Sequence, residues 1–167
     1  KIYKNYKEWV LIIKSNQNDL KINKITEQSP QYKMFNEKYE YNFVMKPDIV
    51  IESSNVGIEK VIIDTKYKLI DTIKSDSNSN KKSVSQSDIY QMFAYNQYYN
   101  TDKCILLYPK FNVEIDKILS KENKFNLQIV TVDLFISETD KLNDYKTKIY
   151  DQLETIFLKL DWDLYFI

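Results

Sequence analysis

Apolar residues recur at helical spacing at the start of the chain. Ile2, Tyr6, Trp9, Val10 and Ile13 fall on one side of a helix over residues 2–14. Residues 15–36 are polar and ambiguous. Around Pro47 the pattern turns to that of a strand. Pro47-Asp48-Ile49-Val50-Ile51-Glu52 reads as a short strand, with proline at its start, where a missing N–H is tolerated. Ser53-Ser54-Asn55-Val56-Gly57 has the composition of a turn. Residues 58–67 form a second strand with the apolar middle Val61-Ile62-Ile63, so the pair predicts a hairpin with a five-residue connection.

Residues 71–87, rich in Ser, Asn, Asp and Lys, predict a flexible polar loop inside the domain rather than a boundary. Loops of this length in compact domains are often functional or disordered. Residues 88–100 follow as a helix with Ser87 as its N-cap and with Ile89, Met92, Phe93 and Asn96 at helical spacing. Residues 103–108 (KCILLY) read as a buried strand ended by Pro109, and residues 127–135 as another strand. A long helix over 138–160 carries Leu142, Tyr145, Ile149, Leu153, Ile156 and Leu160 along one side. There is no internal repeat. Helix, hairpin, helix, strand, strand, helix is the order of a mixed α/β domain, a small central sheet with helices against it.

Length and composition narrow this further. The 167 residues fit a single domain spanning 1–167, and a hydrophobic content of 43% allows a sizeable core. The first residue is Lys, so the chain is expected to be the carboxyl-terminal part of something longer, or trimmed. The longest apolar runs, such as Trp9 to Ile13, are too short for a membrane span or a signal peptide. With Cys104 the one cysteine, an intrachain disulfide is impossible, which suits the cytoplasm. Cys104 lies in a buried-strand pattern and reads as inert. Histidine is absent, which removes Ser-His-Asp and Cys-His catalysis, His-ligated zinc and a histidine base. Carboxylates, lysines, tyrosines and a bound metal are left to carry any chemistry. Lys+Arg and Asp+Glu balance at 24 each, which counts mildly against a free-standing nucleic-acid binder and favours one that acts with a partner.

The candidate chemistry lies in the hairpin. Asp64 and Lys66 are two apart on a strand, so both project from one face, directly after an apolar run. Charges at such a position are costly to desolvate unless they pair or bind something. If the strands are antiparallel, Asp48 at the start of one lies beside Asp64 at the end of the other. Two adjacent carboxylates repel, and a divalent cation relieves the repulsion. Oxygen-only ligation suits Mg²⁺. The metal would lower the pKa of a water and stabilise charge on a phosphate, with Lys66 orienting the water or neutralising charge. For an Asp-x-Lys triplet alone, a pair of surface charges is the ordinary explanation. On the following helix, Asp88, Gln91 and Tyr95 share a face. The Gln91 amide and Tyr95 hydroxyl are candidates to hold phosphate oxygens or a catalytic water, against a core tyrosine with a glutamine at its rim.

Taken together, Lys46-Pro47-Asp48-Ile49-Val50-Ile51, Ile63-Asp64-Thr65-Lys66-Tyr67-Lys68, Asp88 through Tyr95 and Leu106-Leu107-Tyr108-Pro109 resemble the PD-(D/E)XK nuclease core. More narrowly they resemble the McrC family, the nuclease subunit of modification-dependent McrBC restriction systems. The resemblance implies that Asp48 and Asp64 are metal-binding acids, that the Thr65 carbonyl is a further ligand and that Lys66 is the catalytic lysine. It also implies that Gln91 and Tyr95 form the Gln-x-x-x-Tyr motif of this branch. The implied cofactor is Mg²⁺, with Mn²⁺ as a substitute. The implied partners are DNA and a GTP-hydrolysing AAA+ subunit of McrB type, with two copies for double-strand cleavage. Many relatives place a Glu of the first helix near the metal; Glu8 is the candidate, with a solvated side chain as the alternative. Lys81 and Lys82 are candidate phosphate contacts, again against plain solvation, and tyrosines 95, 98 and 99 are candidates to border DNA, against a place in the core or at its rim. The chain lacks a Gly-x-x-x-x-Gly-Lys phosphate loop, so it is no NTPase itself.

The expected function is thus a Mg²⁺-dependent DNA endonuclease domain. A RecB-like repair exonuclease with the same core and a non-catalytic, degenerate nuclease fold used for DNA binding or assembly are the competing readings.

Overall fold

A computed structural model of the chain describes residues 22–27, 32–33, 44–53, 60–73, 83–101, 103–121, 125–134 and 142–158. In chain order these form β1 (Ile22–Glu27), β2 (Tyr32–Lys33), β3 (Val44–Met45), β4 (Ile49–Ser53), β5 (Lys60–Thr65), α1 (Gln86–Tyr99), β6 (Lys103–Pro109), β7 (Asp116–Lys121), β8 (Phe125–Val132) and α2 (Leu142–Leu158). The helix expected over 2–14, Glu8 within it, and the hairpin connection lie outside the described residues, as do Lys81, Lys82 and most of the polar loop.

Six strands form one mixed sheet in the order β1-β4-β5-β6-β8-β7, while β2 and β3 pair separately. β4 and β5 are antiparallel, as the hairpin required, with Ile49 opposite Ile63 and Ile51 opposite Val61. β5 and β6 are parallel, as are β6 and β8. β5 and β6 are connected by way of α1, consistent with the long crossover a parallel pair needs. The antiparallel strands β1 and β7 close the two edges.

Side-chain alternation divides the core in two. Ile49, Ile51, Val61, Ile63, Ile105 and Leu107 pack with Tyr145, Ile149, Leu153 and Ile156 of α2. Val50, Ile62, Cys104, Leu106, Leu127 and Ile129 pack with Met92, Tyr95 and Tyr99 of α1. The sheet therefore lies between the two helices. Of the stripe expected on the last helix, Tyr145, Ile149, Leu153 and Ile156 are buried, and Leu160 lies outside the described residues.

Five expectations need correction. The ambiguous stretch 15–36 contains β1 and β2, and β7 was not anticipated. The polar loop ends sooner than expected, because residues 86 and 87 already belong to α1. Ser85, not Ser87, is the N-cap: its hydroxyl accepts from the Asp88 N–H at 3.2 Å. Phe93, placed on the core side by its apolar type, is 45% exposed, where its ring meets Phe125 edge-on, and Tyr95 and Tyr99 are buried instead.

The far end of α1 closes on Asn100 in the left-handed conformation, φ 50° and ψ 57°. Asparagine is among the few residues other than glycine that adopt it readily, and Gly57 is the one glycine in the sequence. Asn96 then donates to the Thr101 carbonyl, and Thr101 donates to the Lys60 carbonyl. This chain of bonds ties the end of α1 to the start of β5 and so sets the helix against the strand.

Candidate active site

Pleating brings Asp48, Asp64 and Lys66 to the α1 side of the sheet, because each is an even number of residues from Val50 or Ile62 on that face. Continuing the register beyond Ile49 and Ile63 sets Asp48 opposite Asp64. The Thr65 N–H and Thr65 hydroxyl both donate to Asp48 Oδ2, at 2.8 and 2.7 Å. The Lys66 N–H donates to the Leu107 carbonyl at 2.8 Å, on the β6 side. In a trans peptide the preceding carbonyl points the opposite way. The Thr65 carbonyl is therefore turned toward β4, the side on which Asp48 lies.

Lys66 is the hub of the cluster. Its Nζ pairs with Asp64 Oδ2, donates to Gln91 Oε1 at 2.7 Å and stands 3.9 Å from Asp88 Oδ1. Gln91 passes the link on, donating from Nε2 to the Tyr95 hydroxyl at 2.8 Å. Tyr95 is 2% exposed, so its ring belongs to the core while its hydroxyl is turned to the cluster, and Gln91 is the half-buried member of the pair. One turn further on, the Tyr99 hydroxyl donates to the Met45 carbonyl at 3.3 Å. That contact holds the helix against the segment leading into Asp48.

Burial raises the Asp64 carboxyl to about 6; Asp48 and Asp88 push the same way, and Lys66 pulls it down. Burial, with the Asp64 and Asp48 charges, pushes Tyr95 up to about 12, so it is a neutral hydroxyl at any ordinary pH. Sequence reasoning did not single out Asp88, which is 8% exposed, as a site residue. Its carboxylate receives Lys68 Nζ at 2.5 Å and the Tyr108 hydroxyl at 2.8 Å. Burial opposes its ionisation, but the bonds from Lys68, Tyr108 and Ser85 win and hold it below the usual carboxylate range. The sequence signal was present: Ser85-Gln86-Ser87-Asp88 is a capping pattern that puts an acid in the first turn of α1.

The donor set can be compared with what Mg²⁺ requires. Among the described residues no three acidic, histidine or cysteine side chains gather into a metal-holding group. The chain offers two carboxylates and the Thr65 carbonyl, all hard oxygens. Mg²⁺ is commonly held by one or two carboxylates with several waters retained. The buried Asp64, made harder to ionise by Asp48, is the kind of group a cation relieves. The residues fit. A groove of about 740 Å³ lies elsewhere, lined by Lys110, Asp116, Thr131, Lys148 and Asp151 among others, and holds none of these residues.

The class defined so far is a mixed α/β protein with a carboxylate–lysine site at the end of a central strand. Sequence comparison is more specific: the family described as McrBC 5-methylcytosine restriction system component matches residues 1–109, and the chain belongs to that family. This bears out the narrower resemblance, to the McrC family of McrBC systems. No protein of curated function matches the chain. Among solved structures the fold is similar to a chain of a half-complex from the tetradecameric assembly of Thermococcus gammatolerans McrB AAA+ hexamers with bound McrC. The TM-score is 0.55 at 14% identity, over 87% of this chain and 30% of that one. The chain thus spans under a third of the length of that relative. Among the described residues, no helix is long and apolar enough to cross a membrane.

Proposed function

We infer that this chain is a Mg²⁺-dependent DNA endonuclease domain of the PD-(D/E)XK type, cutting phosphodiester bonds in a McrBC-type restriction system. The observation that carries the reading is the convergence on Lys66 of Asp64 from its own strand and Gln91 from α1, with Asp48 facing Asp64 across the hairpin. A bare pair of surface charges has no need of a buried acid or of a helix amide aimed at the lysine.

Asp48, Asp64 and the Thr65 carbonyl are the groups that would hold Mg²⁺. The ion would supply Lewis acidity, lowering the pKa of a water and drawing charge from the phosphate. Lys66 stands beside the acids, where its ammonium neutralises charge gathering on the phosphate oxygens. Gln91 fixes Lys66 through Oε1 and is fixed in turn by Tyr95, so the lysine is aimed before substrate arrives. Gln91 is half-buried and can also reach a phosphate oxygen. An AAA+ NTPase of McrB type is the proposed partner, supported by the family and by the fold's likeness to a chain of the McrB–McrC assembly. A site that cuts one strand needs a second copy, or a second event, to break a duplex. Cytoplasmic action follows from the same reading.

The test is cleavage of supercoiled plasmid with Mg²⁺ or Mn²⁺, comparing wild type with Asp64→Ala. Nicking or linearisation by the wild type alone supports the reading. A free-end preference, with closed circles left intact, would move it to a repair exonuclease. Metal-independent DNA binding without cleavage, even with methylated DNA and the NTPase present, would leave a degenerate nuclease fold.

A further inference from the structure

Lys68 sits two residues beyond Lys66 and is unusual in being both exposed and held. Its side chain is 44% exposed, yet Nζ lies 2.5 Å from Asp88 Oδ2 and 3.0 Å from Ser85 Oγ. Most exposed lysines lose rotamer freedom when fixed, and an isolated exposed pair returns little. Here the anchor is different. Asp88 is buried, accepts from the Tyr108 hydroxyl and sits in the capped first turn of α1. It has little room to follow a wandering lysine, so Lys68 stays where Asp88 is.

The same carboxylate has Lys66 on its other oxygen, at 3.9 Å. Two lysines thus flank one buried acid, and one of them is the candidate catalytic lysine. An ammonium has three donors. Asp88 and Ser85 take two from Lys68, which leaves one N–H on a side chain nearly half open to solvent. Beside a site that handles phosphate, a fixed cation with a spare donor suits a phosphate oxygen.

We propose that Lys68 is a phosphate-binding residue of this cleft, held in place by Asp88, and that it grips the DNA backbone next to the phosphate attacked at Asp48, Asp64 and Lys66. The assignment rests on the nuclease reading above. Asp88, with Tyr108 behind it, is then a positioning residue, while Lys66 and Lys68 meet neighbouring parts of one strand.

The test measures affinity for a fluorescein-labelled DNA duplex at a series of salt concentrations, with Ca²⁺ replacing Mg²⁺ and full-length protein throughout. Lys68→Gln keeps a donor for Asp88, so the buried acid is not left bare, but removes the charge. The plot of log affinity against log salt should become shallower by about 0.9, the slope of one phosphate contact on duplex DNA. Lys68→Arg should restore the wild-type slope. Lys146→Gln, an exposed lysine of α2 on the opposite side of the sheet, should leave it unchanged. A wild-type slope in Lys68→Gln, or an equal loss in Lys146→Gln, overturns the assignment while the nuclease reading stands. A wild-type protein that binds no duplex at all overturns both.

Discussion

On the α2 side of the sheet, Tyr145, Ile149, Leu153 and Ile156 meet Ile49, Ile51, Ile63 and Leu107. Apart from Gln128, the strand residues buried there are apolar. On the α1 side, the same strands present Val50, Ile62 and Leu106 in their middles, then Asp64, Lys66 and Tyr108 where β5 and β6 end. Adjacent residues of one strand serve opposite purposes: Ile63 is sealed in one core, and Asp64 pairs with Lys66 on the other side. The α2 face is where burial stabilises the fold. The α1 face gives up some of that stability to hold charge in a dry place, which is the usual cost of a reactive site.

Several variants would break or sharpen this contrast. The largest effect is expected from Asp64→Asn, which should lower plasmid cleavage by at least about 10²–10³-fold, as loss of a charge-stabilising group does. It should melt no lower than wild type, because an ionised buried acid is removed; a large loss of stability would mean that Asp64 is structural. Ile149→Ala should do the reverse. A buried large-to-small change costs about 2–5 kcal/mol, to be read from urea unfolding, while cleavage per folded molecule stays at the wild-type level.

The third prediction concerns pH. Asp64 goes from its ordinary 3.8 to about 6 on folding. Between those values the folded state binds more protons than the unfolded state. Stability therefore falls as pH rises through the window, by on the order of 3 kcal/mol in total. Asp88, held below 3.8, has the opposite sign: its contribution is present above that value and is lost as pH falls below it. The two windows do not overlap. Urea unfolding at several pH values should show the Asp64 slope vanish in Asp64→Asn. A slope that survives would mean the acid is not the source. The smallest effect is Ser85→Ala, at about 1 kcal/mol for a lost N-cap. It should also loosen Lys68, which Ser85 helps to hold.

How much of this was legible depended on what each residue touches. Val61-Ile62-Ile63 before Asp64-Thr65-Lys66 announced a central strand with charge at its end, because burial on both faces leaves an unbroken apolar run. The edge strands gave no such signal. β7 reads DKILSK, and its Ile118 and Leu119 are 52% and 41% exposed, so the alternation that marks a half-buried strand was missing. In α1 the apolar type of Phe93 pointed to the core, but Tyr95 and Tyr99 fill it, because each is buried with its hydroxyl bonded to Gln91 or to the Met45 carbonyl. Helical spacing places Asp88 on the face of Gln91 and Tyr95 but assigns it no role, for a similar reason. Its partners Lys68 and Tyr108 are each 20 residues away in the chain, and no local pattern reports that they meet.

β5 is an interior strand, antiparallel to β4 on one side and parallel to β6 on the other. Asp64, on this strand, cannot shift without opening a ladder, and opening an interior strand amounts to unfolding the sheet. The amides of Ile63 and Asp64 should therefore exchange with deuterium only as fast as the whole molecule unfolds. Helix α1 is held to the sheet by side-chain bonds rather than by a ladder and should open more often. Asp64 is thus the static part of the candidate site, and the helix whose Gln91 holds Lys66 is the part with freedom to move.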